Sequence, residues 1–182
     1  FSCAASLYGS GLLSPLANRL HYVFGANAPR SGKTLFAKMA VVTIFGPAKT
    51  KPMPKDDNEL RKMLDAAALG NAPYFFLDDL EGSLRSTELN AFMTAPTWSN
   101  RKFNQQVDFS APKQTVVIIT GNNLGLSTDL ANRTLLCHLR TDEFDAQTRV
   151  IKRVIDEEYL ARPTVRRDML SALWCFIREW DK

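Results

Sequence analysis

Short, continuous apolar runs alternate with segments of helical spacing along most of this 182-residue chain. The clearest run is QTVVIIT at residues 114–120, which Gly121-Asn122-Asn123 follows. Apolar runs of this length that end in turn residues are typical of strands buried on both faces of a sheet. Further strands are expected at residues 21–25, 74–80 and 134–139. Because strands that alternate with helices form parallel sheets, the sequence predicts an α/β fold with a central parallel sheet and helices on both faces.

The helices are indicated by apolar spacing and by residues that begin or end a helix. Residues 32–45 have helical spacing and stop at Gly46-Pro47. Asp56 begins a second helix, with Glu59 three residues later in a capping-box arrangement, and Gly70 stands where a left-handed cap is expected. Shorter helices are expected at residues 86–94 and 127–133, and the loop 47–55 has room for one short edge strand.

The length fits one domain with a small appendage. We expect an N-terminal helical lead-in at residues 1–20, an α/β core at 21–142 and a C-terminal helical segment at 143–182. The last segment divides into two helices at Pro163 and has the size of a partial lid. Since the chain opens on Phe1 rather than Met, we expect it to start inside a longer polypeptide.

Composition restricts the class of protein only loosely. The net charge of +4 suits a partner that carries phosphates, and solvated basic side chains explain it equally well. Cys3, Cys137 and Cys175 lie far apart, as expected for reduced core thiols in a cytoplasmic protein. No apolar run approaches the roughly 20 residues that span a membrane, so a membrane partner is not expected.

The most chemically informative stretch is VFGANAPRSGKTL at residues 23–35. A short apolar strand enters a turn-rich run and then a helix, the layout in which backbone N–H groups and a helix N-terminus surround a phosphate. In such a loop Lys33 would reach the outer phosphates and Thr34 would ligate a magnesium ion. A solvated loop of the same composition is the plainer alternative. The candidate phosphate-binding residues are Asn27, Ala28, Pro29, Arg30, Ser31, Gly32, Lys33 and Thr34.

Other polar residues follow the remaining predicted strands, where ligands of parallel sheets bind. Asp78 and Asp79 close a buried strand and are suited to hold magnesium and to orient or deprotonate a water. Asn122 follows the strongest strand, and its amide can bind a phosphate or the attacking water. Arg133, between a short helix and the last strand, could project toward a neighbouring subunit as an arginine finger. A turn explains Asn122 and a surface salt bridge explains Arg133 equally simply.

These motifs follow one another in a characteristic order. They are Leu12-Leu13-Ser14-Pro15-Leu16-Ala17, Ser31-Gly32-Lys33-Thr34, Leu77-Asp78-Asp79, Trp98-Ser99-Asn100-Arg101, Thr120-Gly121-Asn122-Asn123, and Asp129-Leu130 followed by Arg133. The order resembles AAA+ and superfamily 3 helicase ATPase cores, and more narrowly the ATPase domains of replication proteins carried by phages, plasmids and other mobile elements. The resemblance covers roughly residues 10 to 140.

The resemblance implies an ATPase that uses ATP and Mg²⁺ and assembles into a ring of six subunits. Lys33 and Thr34 match the Walker A lysine and hydroxyl, and Asp78 matches the magnesium-holding Walker B carboxylate. Asp79 matches the catalytic acidic position, Asn122 sensor 1 and Arg133 an arginine finger acting in trans. Two positions depart from the pattern. Asn27 replaces the usual glycine, although Asn tolerates left-handed backbone, and only Arg166 or Arg167 is available for sensor 2, both expected on a solvated helix face.

Residues 98–112 occupy the place of the DNA-tracking hairpin of superfamily 3 proteins, and Val107 and Phe109 alternate with polar neighbours as in a hairpin. Arg101, Lys102 and Lys113 are the candidate contacts to nucleic-acid phosphates. Trp98 and Phe103 could stack on bases, but packing is the preferred role.

Together with the residues above, the resemblance implies the ATP-hydrolysing motor of a replicative DNA helicase from a mobile genetic element, a hexameric ring that acts on single-stranded or forked DNA, with room for a linked primase or DNA-binding domain outside these residues. The alternatives are a AAA+ ATPase that loads or remodels proteins on DNA, a P-loop phosphotransferase that acts as a monomer on a small substrate, and a nucleotide-binding module without turnover.

Overall fold

A computed structural model describes residues 20–101, 107–140 and 155–180. Five parallel strands form one sheet in the order β2-β3-β6-β1-β7, and an antiparallel hairpin, β4-β5, lies apart from it. The strands are β1 His21–Ala26, β2 Lys51–Pro52, β3 Tyr74–Leu84, β4 Thr97–Arg101, β5 Asp108–Pro112, β6 Val116–Leu126 and β7 Thr134–Leu139. The helices are α1 Lys33–Phe45, α2 Asp57–Leu69, α3 Thr87–Thr94, α4 Thr128–Ala131, α5 Glu157–Ala161 and α6 Pro163–Trp180. The predicted α/β class with a parallel sheet between helices is confirmed.

The two faces of the sheet are both buried because the strands carry apolar residues at successive positions rather than at alternate ones. On one face Tyr22, Phe24 and Ile118 pack against α1. On the other face Val23 and Ile119 pack toward α2 and α3 in the larger cluster. The core therefore has helices on both sides, and α5 and α6 add a further layer outside α1.

Helix ends follow the predicted signals with one exception. The carboxylate of Asp56 accepts a hydrogen bond from the backbone N–H of Asn58 at 3.1 Å and caps α2. Gly70 is not left-handed, with φ of −79°. The left-handed residue is the next one, Asn71, with φ of 46°. The expectation for Gly70 was therefore wrong by one position, because Asn also adopts this conformation at low cost.

Two strands are longer than the sequence suggested. β3 continues to Leu84 and β6 to Leu126, past the polar residues that were expected to end them. The two strands pair with each other up to Leu84 and Leu126, whereas β1 ends at Ala26 opposite Asn122. Asn122 therefore lies within a strand and level with the end of β1.

The remaining expectations for the fold are resolved in part. Cys137 is half-buried and Cys175 is exposed, so Cys175 is not a core thiol. The two helices that meet at Pro163 are observed, while the lead-in helices expected within residues 1–19 lie outside the described residues. None of the helices in the described ranges is long and apolar enough to cross a membrane.

Candidate functional site

The loop between β1 and α1 presents backbone amides at the carboxyl edge of the sheet. Arg30 and Gly32 adopt left-handed backbone, with φ of 56° and 86°. Such residues, alternating with right-handed ones, turn successive N–H groups toward one point. The N-cap residue of α1 is Gly32, which has no side chain to cap the helix, and the first turn carries no acidic residue. The first turn of α1 therefore offers N–H groups and a positive dipole end to an anion.

Asn27 does not use the left-handed conformation that the sequence analysis allowed for it. Among the described non-glycine residues, positive φ occurs at Arg30, Asn71, Asp79 and Asn123. The sharp backbone of the loop is therefore supplied by Arg30 and Gly32, later in the loop than expected.

Asp78 and Asp79 lie in an irregularity of β3. Leu77 pairs with Ile119 and Leu80 with Gly121, so the two carboxylates face one residue of β6, Thr120. Asp79 has φ of 59°, a conformation that a non-glycine residue adopts only where its surroundings hold it. The irregularity gives the two neighbouring aspartates different surroundings.

The side chain of Asp78 joins three elements. Its Oδ1 atom accepts a hydrogen bond from Thr34 Oγ1 at 2.8 Å and a second, short one from Thr120 Oγ1. Thr34 lies in the first turn of α1 and Thr120 in β6. Thr34 and Asp78, 44 positions apart, are therefore in direct contact.

Lys33 meets the second carboxylate. Its Nζ lies 3.4 Å from Asp79 Oδ1. The lysine side chain is only 7% exposed, whereas that of Asp79 is 72% exposed. The ammonium group is thus held at the edge of the sheet, beside a carboxylate that solvent still reaches.

Asn122 lies on the same face of the sheet as these groups. Side chains alternate along a strand, so Asn122 shares the α1 side with Thr120 and Ile118. Its Oδ1 atom and the Oγ atom of Ser31 are buried and have no hydrogen-bond partner within the described part of the chain. Buried polar atoms of this kind normally have partners; Asn90 Oδ1 in α3 is a third such atom. Ser31 and Asn122 therefore have hydrogen-bonding capacity that a polar ligand could use.

The donor set fits magnesium bound together with phosphates. The described residues contain no group of three or more His, Cys, Asp or Glu side chains that could enclose a metal. Magnesium, however, commonly takes only one or two protein oxygens and completes its octahedron with water and substrate phosphates. The Asp78 carboxylate and the Thr34 hydroxyl, already within hydrogen-bond distance of each other, are suited to that arrangement.

Arg133 lies at the amino-terminal ends of the strands, whereas Lys33 and Asp78 lie near their carboxyl ends. Its carbonyl accepts from the backbone N–H of His21 at the start of β1, about five residue steps or roughly 17 Å from the end of that strand. The expectation that Arg133 stands at a carboxyl end was wrong. Its Nη1 donates to the Asp129 carbonyl at 2.6 Å, and the side chain is half-buried. Within one subunit Arg133 cannot join the site.

The candidate nucleic-acid residues have different surroundings. The predicted hairpin is observed as β4-β5, and exposed Arg101 lies 3.6 Å from Asp108 across it. Lys113 is only 4% exposed, and its Nζ donates to the Met93 carbonyl at 2.9 Å. A lysine so buried does not offer its charge to a phosphate backbone, so Lys113 was a wrong choice. Lys102 lies outside the described residues.

Trp98 of the hairpin packs as preferred, while Phe103 lies outside the described residues. Trp98 is 6% exposed and lies edge-on to Phe92 with the ring centroids 5.0 Å apart. Its indole N–H donates to Asp65 Oδ1 at 2.7 Å. Asn100 Nδ2 donates to both oxygens of the same carboxylate. Asp65 of α2 therefore holds two side chains of β4 by hydrogen bonds.

The two arginines considered for sensor 2 divide. Arg167 lies on an exposed face beside Asp168, as expected. Arg166 instead donates from Nε to the Val42 carbonyl and from Nη2 to the Ile44 carbonyl, each at 3.2 Å. It therefore satisfies carbonyls at the C-terminal end of α1, the end away from Lys33 and Thr34, and was wrongly expected on a solvated face.

Thr120 is the residue of this site that sequence reasoning missed. Its hydroxyl contacts Asp78 and accepts from the Asp79 backbone N–H at 3.1 Å, and the residue is fully buried. A hydroxyl two positions before Asn122 shares its face of the strand, and that spacing was the available signal.

No protein-family model matches the chain, and no curated protein matches it either.

Proposed function

We propose that this chain is a P-loop ATPase domain of the AAA+ or superfamily 3 kind. The observation that carries the proposal is the meeting of Thr34, Asp78 and Thr120 beside the Lys33–Asp79 pair. An anion-binding helix terminus, a lysine and a magnesium-suited carboxylate at one sheet edge are the parts that phosphoryl transfer uses. The motif order described above supports ATP as the nucleotide.

In this proposal each side chain has a distinct role. The amides of the loop and Lys33 bind the β- and γ-phosphates, and Thr34 and Asp78 hold the magnesium ion. Bound Mg²⁺ neutralises charge that develops on the phosphate oxygens. Asp79, exposed and next to the site, orients or deprotonates the attacking water, and the unpartnered Asn122 amide oxygen is available to that water.

Lys33 has to exchange partners when nucleotide arrives. In the described state its ammonium group lies beside Asp79. Polyphosphate carries more negative charge than one exposed carboxylate, so Lys33 would move to the phosphates and leave Asp79 to act on water. The Lys33–Asp79 contact is thus a resting arrangement in this proposal.

The proposal includes a ring assembly, which rests on the resemblance. Arg133 lies at the amino-terminal ends of the strands of its own sheet, so in this proposal it acts on the phosphates of a neighbouring subunit. A head-to-tail contact that repeats and closes gives such a ring, and the resemblance favours six subunits.

We further propose that hydrolysis drives DNA unwinding in a replication protein of a mobile element. The support is the β4-β5 hairpin, which stands between β3 and β6 in the sequence, where the resemblance expects a DNA-tracking hairpin; exposed Arg101, beside Asp108, closes its described part. A loader or remodelling ATPase would hydrolyse ATP equally well. Unwinding of a forked duplex by the protein that contains this domain separates the two, since a loader would leave the fork intact.

The ATPase assignment is tested by nucleotide binding and phosphate release with Lys33→Ala and Lys38→Ala. Lys38 is a matched control because it lies on α1, is 14% exposed and pairs with Glu157. We expect Lys33→Ala to abolish hydrolysis and Lys38→Ala to retain it. Equal hydrolysis by the wild type and the Lys33→Ala protein would overturn the proposal, as would a wild type that releases no phosphate in any oligomeric state.

A further inference from the structure

The hydroxyl of Thr120 connects the two acidic residues of the site. Its hydrogen is donated to Asp78 Oδ1, and its oxygen accepts from the backbone N–H of Asp79 at 3.1 Å. Thr120 is fully buried. A single hydroxyl therefore fixes one aspartate by its side chain and the other by its backbone.

The backbone N–H of Asp79 has its acceptor in the Thr120 hydroxyl rather than in the regular strand ladder. β3 and β6 lose their register between Leu77 and Leu80, so the regular ladder does not continue through Asp79. The residue also has positive φ, which orients its N–H differently from that of its neighbours. The Thr120 oxygen accepts the hydrogen bond where the ladder is interrupted, and it thereby stabilises the left-handed turn that presents the Asp79 carboxylate.

The two hydroxyls that donate to the Asp78 carboxylate lie on different elements, which matters if a metal binds. Thr34 donates its hydroxyl hydrogen to Asp78 in the described state. If Thr34 ligated a cation, an oxygen lone pair would point at the ion and its hydrogen would stay available to a carboxylate. Thr120 lies on β6 and not on the helix of Thr34, so its contact holds Asp78 in both states.

We propose that Thr120 is a positioning residue that couples the metal-holding carboxylate of Asp78 to the acidic residue Asp79. The inference deepens the proposed function and rests on it for the roles of the two aspartates. The arrangement requires a hydroxyl, because a side chain of the same shape without one can neither donate to Asp78 nor accept from Asp79. Outer partners of metal ligands typically change metal affinity or activity by about 10–100-fold.

The test compares Thr120→Val, Thr120→Ser and Thr115→Val. Valine keeps the volume and loses the hydroxyl, and serine keeps the hydroxyl. Thr115 is the matched control because it is 1% exposed, precedes the same strand and donates to the Ala72 carbonyl at 2.8 Å. This hydrogen bond lies at the amino-terminal ends of β3 and β6, away from the aspartates.

Two readouts separate positioning from a general loss of stability. The first is the exchange rate of the Asp79 amide hydrogen, followed by NMR without nucleotide. We expect it to rise about tenfold or more in Thr120→Val relative to the wild type and to Thr115→Val, and to be largely restored in Thr120→Ser. The second is the Mg²⁺ concentration that half-saturates ATP hydrolysis. It should rise about tenfold or more in Thr120→Val only.

The outcomes distinguish this inference from the proposed function. An unchanged Asp79 amide and unchanged Mg²⁺ dependence in a folded Thr120→Val protein would overturn the role of Thr120 while leaving the ATPase assignment in place. A wild type that neither binds nor hydrolyses ATP, with the Asp79 amide still sensitive to Thr120→Val, would instead refute the proposed function and restrict Thr120 to shaping the turn.

Discussion

Thr34 Oγ1 donates a hydrogen bond to Asp78 Oδ1 at 2.8 Å and so joins the first turn of α1 to β3 across 44 positions of sequence. Both residues are half-buried. Hydrogen bonds to charged groups contribute about 1.5–3 kcal/mol to stability. We therefore expect a double-mutant cycle of Thr34→Ala and Asp78→Ala, measured by urea unfolding without nucleotide, to give a coupling energy of about 1–3 kcal/mol.

The control for this cycle pairs Asp78→Ala with Thr43→Ala. Thr43 lies on the same helix nine residues later, about 13 Å along the axis, and donates to the Met39 carbonyl at 2.7 Å. The two changes should add to within about 0.5 kcal/mol. Additivity of the Thr34 and Asp78 changes themselves would show that their hydrogen bond contributes nothing to the native state.

Gly121 leaves the space for the close approach of β3 and β6 directly after the irregularity at Asp78 and Asp79. A Cβ atom at this position would lie 2.3 Å from the Leu80 carbonyl oxygen and 2.6 Å from Leu124 side-chain atoms. Gly121→Ala should therefore destabilise the protein by more than about 2 kcal/mol, because backbone has to move. Its ladder neighbour Gly25 provides the control, since the one contact of a Cβ there with the described residues is Leu136 at 3.8 Å.

Thermal or urea unfolding of Gly121→Ala and Gly25→Ala measures this difference. Gly25→Ala should stay within about 1 kcal/mol of the wild type, since β-strands accept alanine and no clash arises. Equal unfolding free energies for the two variants would mean that the close approach at Gly121 is relieved without cost.

Most of the fold was predictable because its strands are marked by apolar runs and its helices by capping residues. The strand predicted at residues 134–139 and the helix that stops at Gly46 have the expected bounds. The errors arise where polar residues occur inside a continuing strand. Asn122 and the Asp78-Asp79 pair resembled strand ends, but β3 and β6 pair with each other beyond them.

The individual partners of side chains were much less predictable than the elements. Spacing placed Lys33, Thr34 and Asp78 in one loop-and-strand motif, and their contacts agree with that proximity. Spacing carries no information on burial for single cations, however. Lys113 and Arg166 resembled surface charges in the sequence, yet each donates to backbone carbonyls in the fold. Such partners are determined by tertiary packing, which brings residues 20 or more than 100 positions apart into contact.

Asp65 should control the attachment of the hairpin to α2. It accepts hydrogen bonds from Trp98 Nε1 at 2.7 Å and from Asn100 Nδ2. Asp65→Ala leaves the buried indole N–H without that acceptor, at a cost of about 1–3 kcal/mol. We expect a changed indole N–H chemical shift for Trp98 in NMR spectra and faster amide exchange along β4 and β5.

The matched control for the hairpin is Asp57→Ala, which removes a carboxylate from the other end of α2. This exposed residue in the first turn interacts favourably with the helix dipole, so a loss of only about 0.3–1 kcal/mol is expected, with no effect on Trp98. A Trp98 indole signal that is the same in Asp65→Ala and in the wild type would contradict the attachment.

The proposed trans role of Arg133 predicts complementation between two inactive variants. Lys33→Ala removes the lysine proposed to bind phosphate and Arg133→Ala the cation proposed to act on a neighbour, so each homogeneous ring should hydrolyse ATP poorly. In rings assembled from an equal mixture, roughly a quarter of the interfaces would combine an intact Lys33 with an intact Arg133 of the neighbouring subunit, if subunits assort randomly. We therefore expect measurable phosphate release to return on mixing.

The control is the homogeneous Arg167→Ala protein, which lacks an exposed arginine beside Asp168. Its ATP hydrolysis should equal that of the wild type. The measurement needs rings to be confirmed by sedimentation before and after mixing. Arg133 also donates to the Asp129 carbonyl, so thermal unfolding of Arg133→Ala must show a folded chain. If confirmed mixed rings stay as inactive as the separate variants, or if Arg133→Ala rings hydrolyse ATP at the wild-type rate, Arg133 does not act across the interface.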